Sequence, residues 1–131
     1  MSLNEQQRSD LIRLYLTKSE NTWDEFLIAI NAKRWNMAAN RLYYSLFNIV
    51  TALLVNDEHP VGTHRGTKAA LGQHYVLTNK ITPEAGRLYS QLSTLRERAD
   101  YDVVFEATEE DIMKYKSQAE DFIKQIKTLL L

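Results

Sequence analysis

The stretch WNMAANRLYYSLFNIVTALLVN, residues 35–56, carries the strongest structural pattern in the chain. It contains no Gly and no Pro, and its apolar residues recur at intervals of three and four, which is the spacing of one face of an α-helix. The pattern predicts a long amphipathic helix over residues 35–56, and the rest of the fold follows from what lies on either side of it. The stripe consists of Ala38, Ala39, Leu42, Leu46, Ile49, Val50 and Leu53.

The same helical spacing precedes this segment. Residues 4–32 predict one long helix, with a break near Ser19 as the alternative because residues 17–22 are polar. No Gly or Pro separates the two helices, so a tight turn near Lys33 should pair them antiparallel. The apolar positions that recur along the first helix are Leu11, Leu14, Tyr15, Trp23, Phe26, Leu27 and Ile30.

Three further helices are predicted after residues 56–62, which form the clearest loop in the chain. Thr63, Thr82 and a capping box at Thr108 supply the three starts, and the first of these helices is short and weakened by Gly72. Five helices, four long and one short, predict an all-α fold, an antiparallel four- to five-helix up-and-down bundle in a single domain. The predicted spans are 4–32, 35–56, 63–77, 82–100 and 108–129 within residues 1–131.

Composition narrows the function classes. The chain has no Cys, which removes disulfides, thiolate metal sites and cysteine nucleophiles. A net charge of -1 gives no global positive field to attract nucleic acid. His59 and His74 have no ligand partners at metal spacing. The polar residues 1–10 and the lack of any long apolar run predict no signal peptide and no membrane span, so a cytoplasmic protein is expected. No metal or cofactor is expected either.

One polar stripe runs beside the apolar face of the second helix. Arg41, Tyr44, Ser45 and Asn48 lie at positions i, i+3, i+4 and i+7. The stripe is either a solvated helix face or a surface that grips an anion or the edge of a base. Its Arg, Tyr and Asn favour the second interpretation, because solvated faces usually carry Glu and Lys.

Two other groups of residues could take part in binding. Arg96 and Asp100 lie one turn apart and can pair, either as a surface ion pair worth at most about 1 kcal/mol or as a way to orient the guanidinium. His64 is expected in the first turn of the third helix, where the dipole disfavours its charged form. There it is either a solvent-facing loop histidine or a base, and Arg65 and Lys68 beside it suit a phosphate.

Three segments together resemble the HEPN family: ANRLYYSLF at 39–47, THRG at 63–66 and RERADY at 96–101. The likeness covers about residues 11–122 and is greatest to small stand-alone bacterial and archaeal members with an R-x-x-A-D-Y signature. It implies a helix bundle, commonly a homodimer and often encoded beside a minimal nucleotidyltransferase. Several members are toxins that cut RNA without metal, using an R-x4-6-H motif near the dimer interface.

Within that resemblance Arg96 matches the motif arginine, but Tyr101 stands where its histidine would be, and Val103 stands where related toxins have a tyrosine. A phenol with a pKa near 10 is a poorer base at neutral pH than an imidazole with a pKa near 6.5. The resemblance therefore favours a non-catalytic module of a toxin–antitoxin system that binds a nucleotide or RNA, or docks a nucleotidyltransferase. The alternative is a metal-independent ribonuclease toxin in which Tyr101 or His64 replaces the histidine.

These patterns define one expected site. The second and fourth helices should pack side by side and bring their polar stripes into one cleft. Two Trp, seven Tyr and four Phe are more aromatic side chains than one thin core readily hides, which also favours a homodimer. Catalytic candidates are Arg96, Tyr101 and His64; the expected ligand contacts are Arg41, Tyr44, Asn48, His64, Arg65, Lys68, Arg96, Asp100 and Tyr101.

Overall fold

Five α-helices and one π-helical turn make up the computed structural model, which describes residues 3–130. No strand occurs among those residues, and none of their helices is long and apolar enough to cross a bilayer. The predicted all-α bundle is confirmed, while Met1, Ser2 and Leu131 of the predicted domain lie outside the described residues. The helices are α1 (Glu5–Asn31), α2 (Trp35–Asn56), α3 (His64–Leu71), α4 (Pro83–Tyr101) and α5 (Glu109–Leu130), with the π-helical turn at Gly72–Val76.

Helix α2 is the centre of the bundle. It packs against α1, α3, α4 and α5, and every side chain from residue 49 to residue 55 is buried. A helix that is buried all round must carry apolar or small residues on every face, as this half of α2 does. The strongest pattern in the sequence therefore belongs to the helix on which the others rest.

The directions of the helices follow from contacts at their ends. Lys33 adopts a φ of 57° in the turn after α1, and Arg8 near the start of α1 pairs with Glu58 just beyond the end of α2. At the opposite end of α2, Asn40 donates to Asp100 near the end of α4. Helices α1 and α4 are thus both antiparallel to α2, and the predicted tight turn and pairing are confirmed.

Helix α1 is continuous through residues 17–22, so the prediction of one long helix is confirmed. Part of its predicted buried face was wrong. Leu14 and Leu27 are 51% and 39% exposed. The buried face of α1 carries the predicted Phe26 together with Ser19, Thr22 and Ala29, which were not predicted. Small and hydroxylated side chains let two helices approach closely, and Thr22 keeps its hydroxyl bonded by donating to the Lys18 carbonyl.

The predicted helix starts are confirmed by their caps. The Thr63 hydroxyl accepts from the Gly66 amide, Thr82 accepts from Ala85, and Thr108 accepts from Asp111. The short third helix is α-helical only as far as Leu71, and the chain then widens into the π-helical turn, which begins at Gly72. Because Thr63 caps α3, His64 is the first residue of this helix, and its side chain faces α2.

Candidate functional site

The packing of α2 against α4 brings Arg96 onto two tyrosine rings of α2. Its Cζ lies 5.0 Å from the ring centroid of Tyr43 and 5.8 Å from that of Tyr44. Arg41 approaches the same Tyr44 ring, with Cζ at 5.4 Å from the centroid. The predicted meeting of the two polar stripes is confirmed for these residues, and the cation–π geometry stabilises both guanidinium groups.

Arg96 is buried without a complete set of hydrogen bonds. Its side chain is 6% exposed, and its two nearest carboxylates are Asp100 at 3.7 Å and Glu97 at 3.9 Å. Both distances exceed hydrogen-bond length, and Nε has no partner within residues 3–130. The predicted ion pair with Asp100 is therefore present, but it compensates the charge without satisfying the donors. A buried arginine in this condition carries an uncompensated desolvation cost, which an added acceptor would reduce.

His64 closes the other side of these rings. Its Nδ1 lies 2.9 Å from the Tyr43 hydroxyl and its Nε2 lies 3.3 Å from the Tyr44 hydroxyl. Neutral imidazole has one donor and one acceptor nitrogen, so one phenol accepts a hydrogen bond from the ring and the other donates one to it. Burial and the positive charge of Arg96 lower the pKa of His64, and this outweighs the opposite effect of Glu97. His64 is therefore neutral at pH 7.

Tyr43 was missed in the sequence because it lies on the apolar side of α2. It is fully buried, its ring lies 5.7 Å from that of Tyr89, and burial raises the pKa of both phenols. The Tyr89 hydroxyl has no hydrogen-bond partner in the described part of the chain. A tyrosine within an apolar stripe was the available signal, since a buried hydroxyl usually requires a partner.

Asn40 was also missed. It accepts from the Arg41 Nε at 2.9 Å and donates to both carboxylate oxygens of Asp100, so it joins the two helices. Glu25 of α1 accepts from the Nη1 of Arg41 at 3.0 Å. Asn40 lies one turn before Tyr44, and that spacing could have placed it in the polar stripe. These bonds hold Arg41 near the Tyr44 ring and Asp100 near Arg96.

The remaining predicted site residues differ in where the structure places them. Asn48 points to α1, where its amide donates to the Thr22 hydroxyl at 3.2 Å, so its predicted place beside Arg96 is corrected. Arg65 and Lys68 are exposed on α3, and neither makes a side-chain hydrogen bond within residues 3–130. Tyr101 is 75% exposed at the end of α4, with its ring centroid 6.0 Å from the Arg96 Cζ.

The group formed by Tyr43, Tyr44, His64 and Arg96 is called the Arg96 cluster below. It combines a buried guanidinium, a neutral imidazole and two phenols, and this set can bind an anion and transfer a proton. No three His, Asp or Glu side chains of residues 3–130 come together as metal ligands. The exposed positions of His64 and Tyr101 leave the cluster accessible from solvent.

Known proteins resemble this chain over almost its whole length. The model of the HEPN domain family matches residues 12–129. A UPF0332 protein of Thermotoga maritima is 29% identical over 128 residues, which is 98% of this chain and 96% of the relative. Two Methanocaldococcus jannaschii proteins named "Putative toxin" are 29% identical over 128 residues and 25% identical over 116 residues. These alignments cover 98% and 88% of this chain, and 94% and 79% of the two relatives.

Proposed function

The chain belongs to the HEPN domain family, and from that premise we propose that its Arg96 cluster binds the phosphate of a nucleotide or of RNA. The family match and the names of the relatives support a toxin-type module. The observation that carries the proposal is Arg96 itself, which is buried and has an unpartnered Nε within residues 3–130. Phosphate oxygens are among the acceptors whose geometry matches a guanidinium.

The carboxylates near Arg96 do not occupy its hydrogen-bond donors. Asp100 and Glu97 lie near enough to balance its charge but too far to accept hydrogen bonds. A phosphate could therefore bond the guanidinium without first displacing a carboxylate that is hydrogen-bonded to it. A hydrogen bond to a charged group contributes about 1.5–3 kcal/mol, which is enough for the binding to depend on this one residue.

The same contacts support binding without efficient cleavage. Tyr101 stands at the position of the motif histidine, and a phenol is a poorer base at neutral pH than an imidazole. Both ring nitrogens of His64 already face a tyrosine hydroxyl, so His64 must exchange one of these contacts before it can accept a proton from a substrate. The cluster is therefore better arranged to hold a phosphate than to break its ester.

The direct test compares two arginines of α4 in a binding assay. The fluorescence anisotropy of an end-labelled single-stranded RNA is measured with the wild type, Arg96→Ala and Arg98→Ala over a range of salt concentrations. Arg98 is exposed and lies over the Phe105 ring at 4.2 Å, outside the cluster, so it is the matched control. We expect binding that weakens with salt and is lost only in Arg96→Ala. Equal losses in both variants would contradict the proposal.

A ribonuclease is the second candidate, and one observation favours it. The lowered pKa of His64 keeps a neutral imidazole beside a buried arginine, as general-base catalysis requires. The test is cleavage of the same RNA in chelator by protein freed of contaminating nuclease. Cleavage that disappears in His64→Ala or Tyr101→Phe would establish an enzyme in place of a binding module.

The proposal extends to partners. Tyr101, Val103 and Val104 form an exposed apolar surface at the end of α4, with Val103 99% and Val104 92% exposed. We expect this surface to be covered in a two-fold homodimer, with a nucleotidyltransferase as the second partner implied by the family. Light scattering should give twice 15.2 kDa for the wild type and a lower mass for Val103→Asp. A mass of 15.2 kDa for the wild type at all concentrations would rule out the homodimer.

A further inference from the structure

Helices α1 and α5 both pack on α2, while their backbones stay apart from each other. No Cα atom of α1 lies within 8 Å of one in α5 over the described residues. The space between the two helices is a groove with a volume of about 420 Å³. On α5 it runs from Lys116 to Lys127, which at 1.5 Å per residue is about 16 Å, or three helical turns.

Three apolar side chains line this groove among its polar ones. Trp23 is half-buried, Leu27 is 39% exposed, and Ile123 is half-buried on the facing helix. The partly exposed side chain of Leu27, which the core does not bury, therefore lines the groove. An apolar concave surface between two helices is the shape that binds the apolar face of a third helix.

The rim of the groove on α5 is basic. Lys116 is paired with Glu120 at 3.1 Å, but Lys124 and Lys127 have no carboxylate within 4.0 Å in residues 3–130. Glu20 stands on the α1 side and offsets part of this charge. The two available ammonium groups can therefore pair with acidic side chains of an occupant, and their positions one turn apart match i and i+3 spacing on a helix.

We propose that the α1–α5 groove docks an acidic amphipathic helix of about three turns from a partner protein. Leucine-like side chains of that helix lie against Trp23, Leu27 and Ile123, and its carboxylates face Lys124 and Lys127. A membrane surface fits less well, because the apolar residues are recessed between two helices, whereas a membrane-binding helix projects its apolar face outward. The proposal does not depend on the Arg96 cluster, which is formed by residues of α2, α3 and α4.

The test uses a synthetic probe and an internal reporter. Trp23 and Trp35 are the two tryptophans of the chain, so Trp35→Phe leaves Trp23 in the groove as the only reporter. The probe is a stapled helical peptide with Leu on one face and Glu on the others, and the matched probe carries Lys in place of Glu. We expect the acidic peptide to shift the Trp23 emission to shorter wavelength and to bind at least tenfold more tightly than the basic peptide.

Paired variants assign the binding to the groove. The double variant Lys124→Glu with Lys127→Glu should bind the acidic peptide at least tenfold more weakly than the wild type. The control variant Lys80→Glu with Lys114→Glu makes the same charge change outside the groove and should bind the peptide as the wild type does. The apolar pair is Leu27→Glu against Leu14→Glu, since both leucines are exposed on α1 but only Leu27 lines the groove. All four substituted sites of the charge pairs are exposed, so circular dichroism should be unchanged.

Four results would overturn the proposal. Equal affinity for the two peptides would show that charge complementarity does not contribute to binding. Binding of the acidic peptide that survives Lys124→Glu with Lys127→Glu would show that the peptide binds outside the groove. Binding to vesicles of phosphatidylserine and phosphatidylcholine that only the groove variants abolish would assign the surface to a membrane. A fall in molecular mass from dimer to monomer in Leu27→Glu, but not in Leu14→Glu, would assign it to a second copy of the chain.

Discussion

Two polar regions are buried against α2, and they differ in how well their hydrogen bonds are satisfied. On the α1 side, the Ser19 hydroxyl donates to the Ser45 carbonyl and the Asn48 amide donates to Thr22. On the α4 side, the Arg96 Nε and the Tyr89 hydroxyl are buried and lack partners within residues 3–130. Satisfied polar groups specify how two helices pack. Unsatisfied ones are costly to the fold, and an acceptor supplied by a ligand can relieve that cost.

The largest expected effect separates binding from stability at Arg96. Arg96→Met keeps the length of the side chain but removes the buried charge and its unpartnered donor. RNA affinity should fall about 30- to 100-fold, equivalent to about 2–3 kcal/mol, because the phosphate loses charged hydrogen bonds. Stability to urea should be unchanged or higher, since replacing an incompletely paired buried charge with an apolar group is often neutral or stabilising. A large loss of stability would show that Arg96 belongs to the structural region.

The opposite result is expected at Asn48. Asn48→Ala leaves the Thr22 hydroxyl without this donor at the α1–α2 contact, and it should lower the free energy of unfolding by about 1 kcal/mol. RNA binding should not change, because Asn48 faces α1 and not the Arg96 cluster. Urea unfolding and RNA anisotropy on one preparation measure both quantities. Weaker RNA binding by a folded Asn48→Ala protein would return Asn48 to the binding site, as the sequence predicted.

The pH dependence of RNA affinity should also distinguish the two regions. The pKa of His64 is lowered by burial and Arg96, whereas Ser19, Thr22, Ser45 and Asn48 on the α1 side do not titrate. A bound phosphate favours the imidazolium and raises this pKa, so binding takes up a proton as the pH falls. Affinity should be flat well above pH 6.5 and rise by up to about tenfold as the pH falls below it. His64→Gln should abolish the rise, and His59→Gln should retain it.

The same pKa shift has an opposite consequence for the free protein. The unfolded chain protonates His64 near pH 6.5, while the folded protein resists protonation to a lower pH. The unfolded state then binds more protons, so the contribution of His64 makes the fold less stable as the pH falls through 6.5. Thermal melting of wild type and His64→Gln at several pH values measures this contribution. Identical pH dependence in the two proteins would contradict it.

The sequence predicted the helices well because their signals are local. Helical spacing and the caps at Thr63, Thr82 and Thr108 act within a few residues, and the structure contains each of them. Leu14 and Leu27 were misplaced because the face of α1 that packs on α2 is set by its fit to that helix. Spacing alone cannot distinguish a large residue at the contact from one at its flank.

The candidate site was predicted less completely, for a related reason. Arg96 and Tyr44 were found because polar residues at helical spacing share a face, and their meeting then required only that α2 and α4 pack together. Tyr43 was missed because it looks like a core residue until His64 is brought to its hydroxyl by a separate helix. Asn48 was misassigned because Thr22, distant in sequence, offers it an acceptor.

A weak new activity is expected from restoring the motif histidine. Tyr101→His places an imidazole five positions after Arg96, on a side chain whose ring already lies near the guanidinium. If a phosphate sits on Arg96, this imidazole can remove a proton from the adjacent 2′-hydroxyl, and metal-independent cleavage should become detectable in chelator. The gain should stay below about 10², the low end of general-base catalysis, because the surrounding residues still favour binding.

The double variant Arg96→Met with Tyr101→His tests whether this cleavage takes place at the Arg96 cluster. Cleavage that needs both residues would show that the cluster holds the phosphate where a base at position 101 can act. Cleavage that persists without Arg96 would mean that the new imidazole acts on RNA bound elsewhere. Cleavage by the wild type at the same rate, lost in His64→Ala, would mean that α3 already supplies the base and that the donors of Arg96 serve a transition state.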